Sequence, residues 1–235
     1  MHIIPTTVLT ATFFAGSAFA GLLPTPIDRR ATCDTTKLNT TAGTYNITEG
    51  DTIFSVATAT GRGVCDIARY NRLAVASLIY PGEQLAIPPQ VCDPDNDTCL
   101  LVNTMPTRDC ILGGPHVYTT VGNETIEYIA LYKLNITVDA LFNGSSRMLP
   151  DGANASTILE VGQALKVPQC YPSVCEVEPY TMQLEVYKDM AAKFGTTVGQ
   201  IMGFNPSYNH SAGGGPTLTI PMNCRLLGDN YTIIS

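Results

Sequence analysis

Residues 45–88 read YNITEGDTIFSVATATGRGVCDIARYNRLAVASLIYPGEQLAIP, and this stretch decides the fold. Its opening, Tyr45-Asn46-Ile47-Thr48, alternates apolar and polar side chains, as a half-buried strand does. Gly50-Asp51-Thr52 then introduces Ile53, Val56 and Ala57, which share one helical face, while Val64, Ile67 and Ala68 supply a second short face. Tyr80-Pro81-Gly82-Glu83 has turn chemistry, and Gln84 to Ile87 reads as a returning strand. The expectation is strand, two short helices, strand. Asp51 sits where the first helix begins and reads as its N-cap.

The same grammar recurs downstream. A second copy starts at Val117-Tyr118-Thr119-Thr120, continues through Ile126, Ile129 and Ala130, then Val138 and Leu141, and closes at Val161 to Pro168 in parallel with residues 80–88. A third begins near Tyr180-Thr181-Met182, carries Met190, Ala191 and Phe194 on one helix and Val198 and Ile201 on another, and ends at Leu218 to Pro221. It diverges most. The predicted fold class is α+β, three small βααβ units. Each has few apolar residues for its size and needs covalent support.

Eight cysteines provide it: Cys33, Cys65, Cys92, Cys99, Cys110, Cys170, Cys175 and Cys224. In an antiparallel pair the entry of one strand lies near the exit of the other, which favours Cys110 with Cys170 and Cys175 with Cys224. The other four admit three pairings, of which Cys33 with Cys92 and Cys65 with Cys99 is preferred. A zinc site is disfavoured, because there is no CxxC pair and only His116 and His210 are available outside the leader. No metal and no cofactor are expected.

Oxidised cysteines need an oxidising compartment. The apolar run from Val8 to Phe19, followed by Ala18-Phe19-Ala20, has the form of a signal peptide over residues 1–20. Cleavage there gives a mature start at Gly21, and processing at Arg29-Arg30 would move it to Ala31. The segment from Arg225 to Ser235 has no long apolar tail, so no membrane anchor is expected. Nine sequons, Asn39, Asn46, Asn96, Asn123, Asn135, Asn143, Asn154, Asn209 and Asn230, fit a secreted glycoprotein. With 14% charged residues, a net charge of −7 and a pI of 4.8, the chain lacks the basic patches that grip nucleic acid or anionic lipid. Catalysis is not expected either: His116 and His210 have no recognisable nucleophile partner, no GxSxG occurs, and small repeats offer no deep cleft in which to tune a carboxylate pair.

Tyr45, Gly50-Asp51-Thr52, Val56-Ala57, Cys65-Asp66-Ile67, Asn71, Tyr80-Pro81-Gly82 and Ile87-Pro88 together resemble a LysM domain, and the linker from Val91 to Cys99 resembles that of fungal secreted LysM effectors with three such modules. The resemblance implies the following organisation: signal peptide 1–20, N-terminal tail 21–43, LysM modules at 44–89, 116–169 and 177–222, a Cys-containing linker at 90–115, a second linker at 170–176 and a C-terminal tail at 223–235. It further implies binding of chitin oligosaccharides without catalysis, in the extracellular space or at the fungal wall, with ligand-bridged self-association as an option. Carried onto this chain, the sugar site comprises Gly50, Asp51, Thr52 and Ile53 with Ala76, Ser77, Leu78 and Ile79. Backbone amides and a small apolar floor suit a neutral acetamido sugar.

Two departures bear on function. In the second module Asn123 stands in place of the family's glycine and begins a sequon, so that a glycan there would stand over the groove; the opposing loop lies within residues 155–159, beside the Asn154 sequon. In the third, Leu184-Glu185-Val186-Tyr187 replaces the loop motif altogether, and Gly213-Gly214-Gly215 takes the second loop. The first module is therefore expected to dominate binding. Two other readings stay open: a LysM-fold glycoprotein with reduced sugar binding that acts through a protein partner, and a peptidoglycan binder.

Overall fold

A computed structural model describes residues 33–208 and 215–228, within which all elements below belong to the unit Asp34–Ser235. The leader, the Arg29-Arg30 pair, Asn209, His210, Gly213, Gly214 and Asn230 lie outside the described residues.

In the first segment, β1 (Gly43–Asn46) pairs antiparallel with β2 (Gln84–Ile87), setting Tyr45 opposite Leu85. Between them run α1 (Ile53–Thr60) and α2 (Val64–Tyr70). The cap of α1 is Thr52, not Asp51 as the sequence suggests. Thr52 Oγ1 accepts from the Ser55 amide at 3.1 Å and Ser55 Oγ accepts from the Thr52 amide at 3.0 Å, a reciprocal capping box. Asp51 is held elsewhere, by the turn before the helix. Gly61, at φ +63°, ends α1 in the left-handed region. The start of α2 is capped from outside: the Val64 amide donates to Asn96 Oδ1 at 3.1 Å and the Cys65 amide to the Asp95 carbonyl at 2.8 Å. Gly63 permits that approach, since a Cβ there would lie 2.5 Å from the Asp95 oxygen.

Asn71, fully buried after α2, locks the helix to the returning strand. Its Nδ2 donates to the Ile67 and Ala86 carbonyls at 2.9 and 2.7 Å, and its Oδ1 accepts from the Ala86 amide at 2.7 Å.

The second segment sets β4 (Val117–Thr119) antiparallel to β5 (Ala164–Lys166), with Tyr118 opposite Leu165. Its helices are α3 (Ile126–Tyr128), widening into a π-helical turn over Ile129–Leu134, and α4 (Val138–Ser145). A short parallel pair, β3 (Ile111–Leu112) with β6 (Gln169–Cys170), brings together the two ends of this segment. The third segment sets β7 (Ser173–Thr181) against β8 (Thr217–Leu226), enclosing α5 (Tyr187–Phe194) and α6 (Val198–Phe204). Asn205 repeats the lock, bonding the Ile201 and Thr219 carbonyls and the Thr219 amide at 2.8 to 2.9 Å. Both β3 and the start of β7 fall within spans read from sequence as linkers, and β8 runs past residue 222.

Three bridges join Cys65 to Cys99, Cys110 to Cys170 and Cys175 to Cys224, the last two as the strand geometry suggests and the first as the preferred one of three open pairings. Cys33 and Cys92 are disulfide-bonded as well. Two apolar clusters form the core. One is the first segment's own, with Val186 of the third added to it; the other is shared by the second and third segments, with Ala74 and Val75 of the first joining it.

Arg69 ties the first segment to the third, meeting Asp95 at 2.6 Å and both carboxylate oxygens of Asp189 at 2.8 Å. Partial burial opposes ionisation of both acids. The Thr98 hydroxyl and Arg69 nonetheless hold Asp95 far below the usual carboxylate range, and Arg69 with the Val186 amide lowers Asp189.

Two outcomes follow. Asn71→Ala orphans two part-buried backbone groups of Ala86 and is expected to cost about 2 kcal/mol in denaturant unfolding. Because the folded-state values of Asp95 and Asp189 are depressed, the stabilisation from Arg69 is complete above the unfolded carboxylate pKa of about 4 and is lost as pH falls through the lower folded values. The stability gap between wild type and Arg69→Leu, measured by urea titration, is therefore expected to be largest near neutrality and to shrink in acid.

Candidate functional site

The turn from Thr48 to Thr52 is organised by a carboxylate. Asp51 accepts the amide and hydroxyl of Thr48, each at 2.8 Å, and lies 3.4 Å from the Tyr45 hydroxyl and 3.3 Å from Ser55 Oγ. The Thr48 amide, then its hydroxyl, lower the Asp51 pKa. Gly50 precedes it at φ +87°, a backbone state costly for any residue with a Cβ, and open space surrounds it. The second segment builds the same turn with a longer acid. Glu124 accepts from the Val121 amide at 2.7 Å and from the Tyr118 hydroxyl at 2.9 Å, and Asn123 stands at φ +57° in the place of Gly50.

The longer side chain changes the surroundings. Glu124 reaches the interior and forms a buried ion pair with Lys133, whose ammonium also donates to the Tyr118 hydroxyl at 2.9 Å. Burial pushes the Lys133 pKa down, with Glu124 opposing, and burial and then Glu124 push Tyr118 up.

A cavity of about 480 Å³ lies against the first segment's two loops. Gly50 and Asp51 border it from the first loop, Val75 and residues 77–81 from the second, and Val121 to Glu124 with Tyr128 and Lys133 from the second segment. Gly122 packs near the Tyr80 ring: a Cβ there would sit 3.5 Å from it. Of the eight residues expected at the site, Gly50, Asp51, Ser77, Leu78 and Ile79 line this cavity. Thr52 caps α1, while Ile53 and Ala76 are buried in the core behind it.

The three segments differ most in what their loops do with backbone polar groups. In the second, the Leu159 amide donates to the Glu124 carbonyl at 2.8 Å and the Glu127 amide to the Ala155 carbonyl at 3.0 Å, with Thr125 bridged to Ile158. These bonds zip its two loops together. The corresponding groups of the first segment, the amides of Ile79 and Phe54 and the carbonyl of Asp51, have no hydrogen-bond partner among the described residues. In the third, the loop is packed against the first segment: the Tyr187 amide donates to the Ala74 carbonyl at 3.1 Å and Val186 joins the first core. Among the described residues, one furrow is open, one is closed by its own backbone and one has its first loop packed against the first segment.

Sequence reasoning did not place Tyr80, Tyr128 or the Glu124–Lys133 pair at the site. Tyr80 was visible as part of the turn motif. Lys133 falls seven residues after Ile126, on the helical face that Ile129 and Ala130 share, and a charge on such a face signals a buried partner. Tyr128 reaches the cavity through packing between segments, which no local pattern encodes.

A strand, two short helices and a returning strand, with two loops flanking a furrow at one end, define a LysM protein; residues 45–88 match the LysM domain family. Over 223 residues the chain is 47% identical to the secreted LysM effector LysM13 of Penicillium expansum, covering 92% of this chain and 95% of that one. It is 33% identical to the secreted LysM effector ECP6 of Passalora fulva, also over 223 residues, covering 93% and 95%. The chain belongs to the family of secreted fungal LysM effectors. Among the described residues no helix is long and apolar enough to cross a membrane.

The difference between open and zipped loops is measurable. In ligand-free protein the amides of Phe54 and Ile79 are expected to exchange with deuterium much faster than those of Glu127 and Leu159.

Proposed function

We propose that this effector binds chitin oligomers through the open furrow of its first LysM domain and does not turn them over. The observation that carries this reading is the set of uncommitted backbone groups, Ile79 N–H, Phe54 N–H and Asp51 C=O, beside an apolar floor that includes Leu78 and Ile79. An acetamido sugar presents complementary partners: a carbonyl acceptor, an amide donor, hydroxyls and a methyl. Glu124 is paired with Lys133 and the Asp51 carboxylate is engaged by the amide and hydroxyl of Thr48, so neither acid needs a cationic ligand, which suits a neutral one.

The second and third segments are further copies of the module whose loops serve packing in place of sugar binding. The recurrent tyrosine-to-carboxylate bond in the second segment and the recurrent asparagine lock in the third support this reading. The biological role is to sequester chitin fragments from host immune receptors or to shield the fungal wall from chitinases. Peptidoglycan, which shares the N-acetylglucosamine unit, is the competing ligand.

Calorimetric titration with chitin and peptidoglycan oligomers tests the proposal. Gly50→Arg and Leu78→Glu are each expected to weaken chitin binding by about tenfold or more, with oligomers recovered intact after incubation. Wild-type affinity in both variants, a preference for peptidoglycan, or release of shorter sugars would overturn it.

A further inference from the structure

The furrow of the first segment is walled on one side by a glycosylation sequon, Asn123-Glu124-Thr125, of the second. Asn123 is solvent-exposed and lines the same cavity as Gly50 and residues 77–79. The side chains of Asn39, Asn46, Asn96, Asn135 and Asn154 all accept hydrogen bonds, whereas those of Asn123 and Asn143 make none among the described residues, and of these two only Asn123 lines the cavity. Its neighbours hold it in place. Glu124 is fixed by Lys133, Tyr118 and the Val121 amide, and Thr125 caps α3 by accepting from the Tyr128 amide at 3.1 Å. A group attached to Asn123 is therefore delivered to the cavity from a rigid anchor.

The chemistry of that group matters. An N-linked glycan begins with two β1,4-linked N-acetylglucosamine units, the same disaccharide that repeats in chitin. We propose that Asn123 is N-glycosylated and that the first sugars of its glycan occupy the open furrow in cis, making the glycan a built-in competitor of free chitin oligomers. The modification joins Asn123 Nδ2 to the anomeric carbon of a lipid-diphosphate-linked oligosaccharide. The C–N bond forms as the C–O bond to the diphosphate breaks, the amide gives up one proton, and the lipid diphosphate leaves. Once attached, the sugar pair faces the furrow at the high effective concentration of an intramolecular ligand, so free oligomers must displace it. The inference rests on the furrow being the sugar site.

The test compares the protein secreted from a glycosylating fungal host with the same chain refolded without glycan, alongside Asn123→Gly in both forms. This variant removes the sequon and places in the left-handed turn the residue that the first segment has there. The expected results are an occupied Asn123 by glycopeptide mass spectrometry and chitin-oligomer affinity about tenfold or more weaker for secreted wild type than for both secreted Asn123→Gly and unglycosylated wild type. Hydrogen exchange separates occupancy from mere obstruction: without added ligand, the Phe54 and Ile79 amides are expected to be slower in glycosylated wild type than in glycosylated Asn123→Gly. An unmodified Asn123, equal affinities of the secreted pair, or unchanged exchange would overturn the proposal while leaving the furrow reading standing. Failure of the unglycosylated wild-type chain to bind chitin at all would overturn the furrow reading, and this proposal with it.

Discussion

The carboxamide of Asn71 is buried where helix α2 ends and strand β2 passes, and it satisfies both backbone polar groups of Ala86. A four-residue strand paired with one partner is marginal by itself, and a short sheet fixes register weakly. The asparagine supplies what the sheet lacks. By binding Ala86 it sets which residues of β2 face inward, Leu85 and Ile87, and so where the loop ahead of β2 must lie. That loop, residues 76–81, is one bank of the furrow. The opposite bank is the turn that Asp51 closes just ahead of α1 by accepting from the amide and hydroxyl of Thr48. Position at the site is thus inherited from two polar contacts at the ends of helices, with the apolar core filling the space between them.

The second and third segments show what happens when either contact changes. At the end of α4 the lock is reduced to Ser145, whose hydroxyl donates to the Lys166 carbonyl at 3.2 Å. The loops there are instead joined by backbone bonds, and Glu124 extends inward to Lys133 where Asp51 stays at the surface. In the third segment the lock persists at Asn205, but Val186 replaces the threonine cap and is buried in the first core. An ion pair this deeply buried contributes little net stability compared with a well-packed apolar pair, while losing one partner is costly. Its effect here is positional, because it holds the turn that carries Asn123.

Much of this was legible in the sequence because it depends on local pattern. Alternation in residues 45–48, the helical spacing of Ile53, Val56 and Ala57, and the positions of Cys110, Cys170, Cys175 and Cys224 around paired strands all report simple pattern constraints, and the elements and those two bridges follow them. The choice between Asp51 and Thr52 as cap was not legible, because both residue types cap helices and the deciding contact is the Thr48 amide. Five of the eight expected site residues border the cavity, and the three that do not are a cap and two core side chains, a distinction that depends on which way each residue faces. The wall contributed by Tyr128 and Asn123 depends on how segments pack. Contacts such as Arg69 with Asp189, 120 residues apart, decide that packing and leave no periodic trace.

The zipped loops of the second segment also bear on valency. A lectin with several equivalent sites gathers polymer chains into a network and precipitates with them. Among the described residues the second furrow is closed by the bonds of the Leu159 and Glu127 amides and the first loop of the third segment is packed against the first, so the binding proposed above is monovalent and gives soluble complexes in place of a network. On that proposal the protein titrates short fragments one by one and leaves them dispersed.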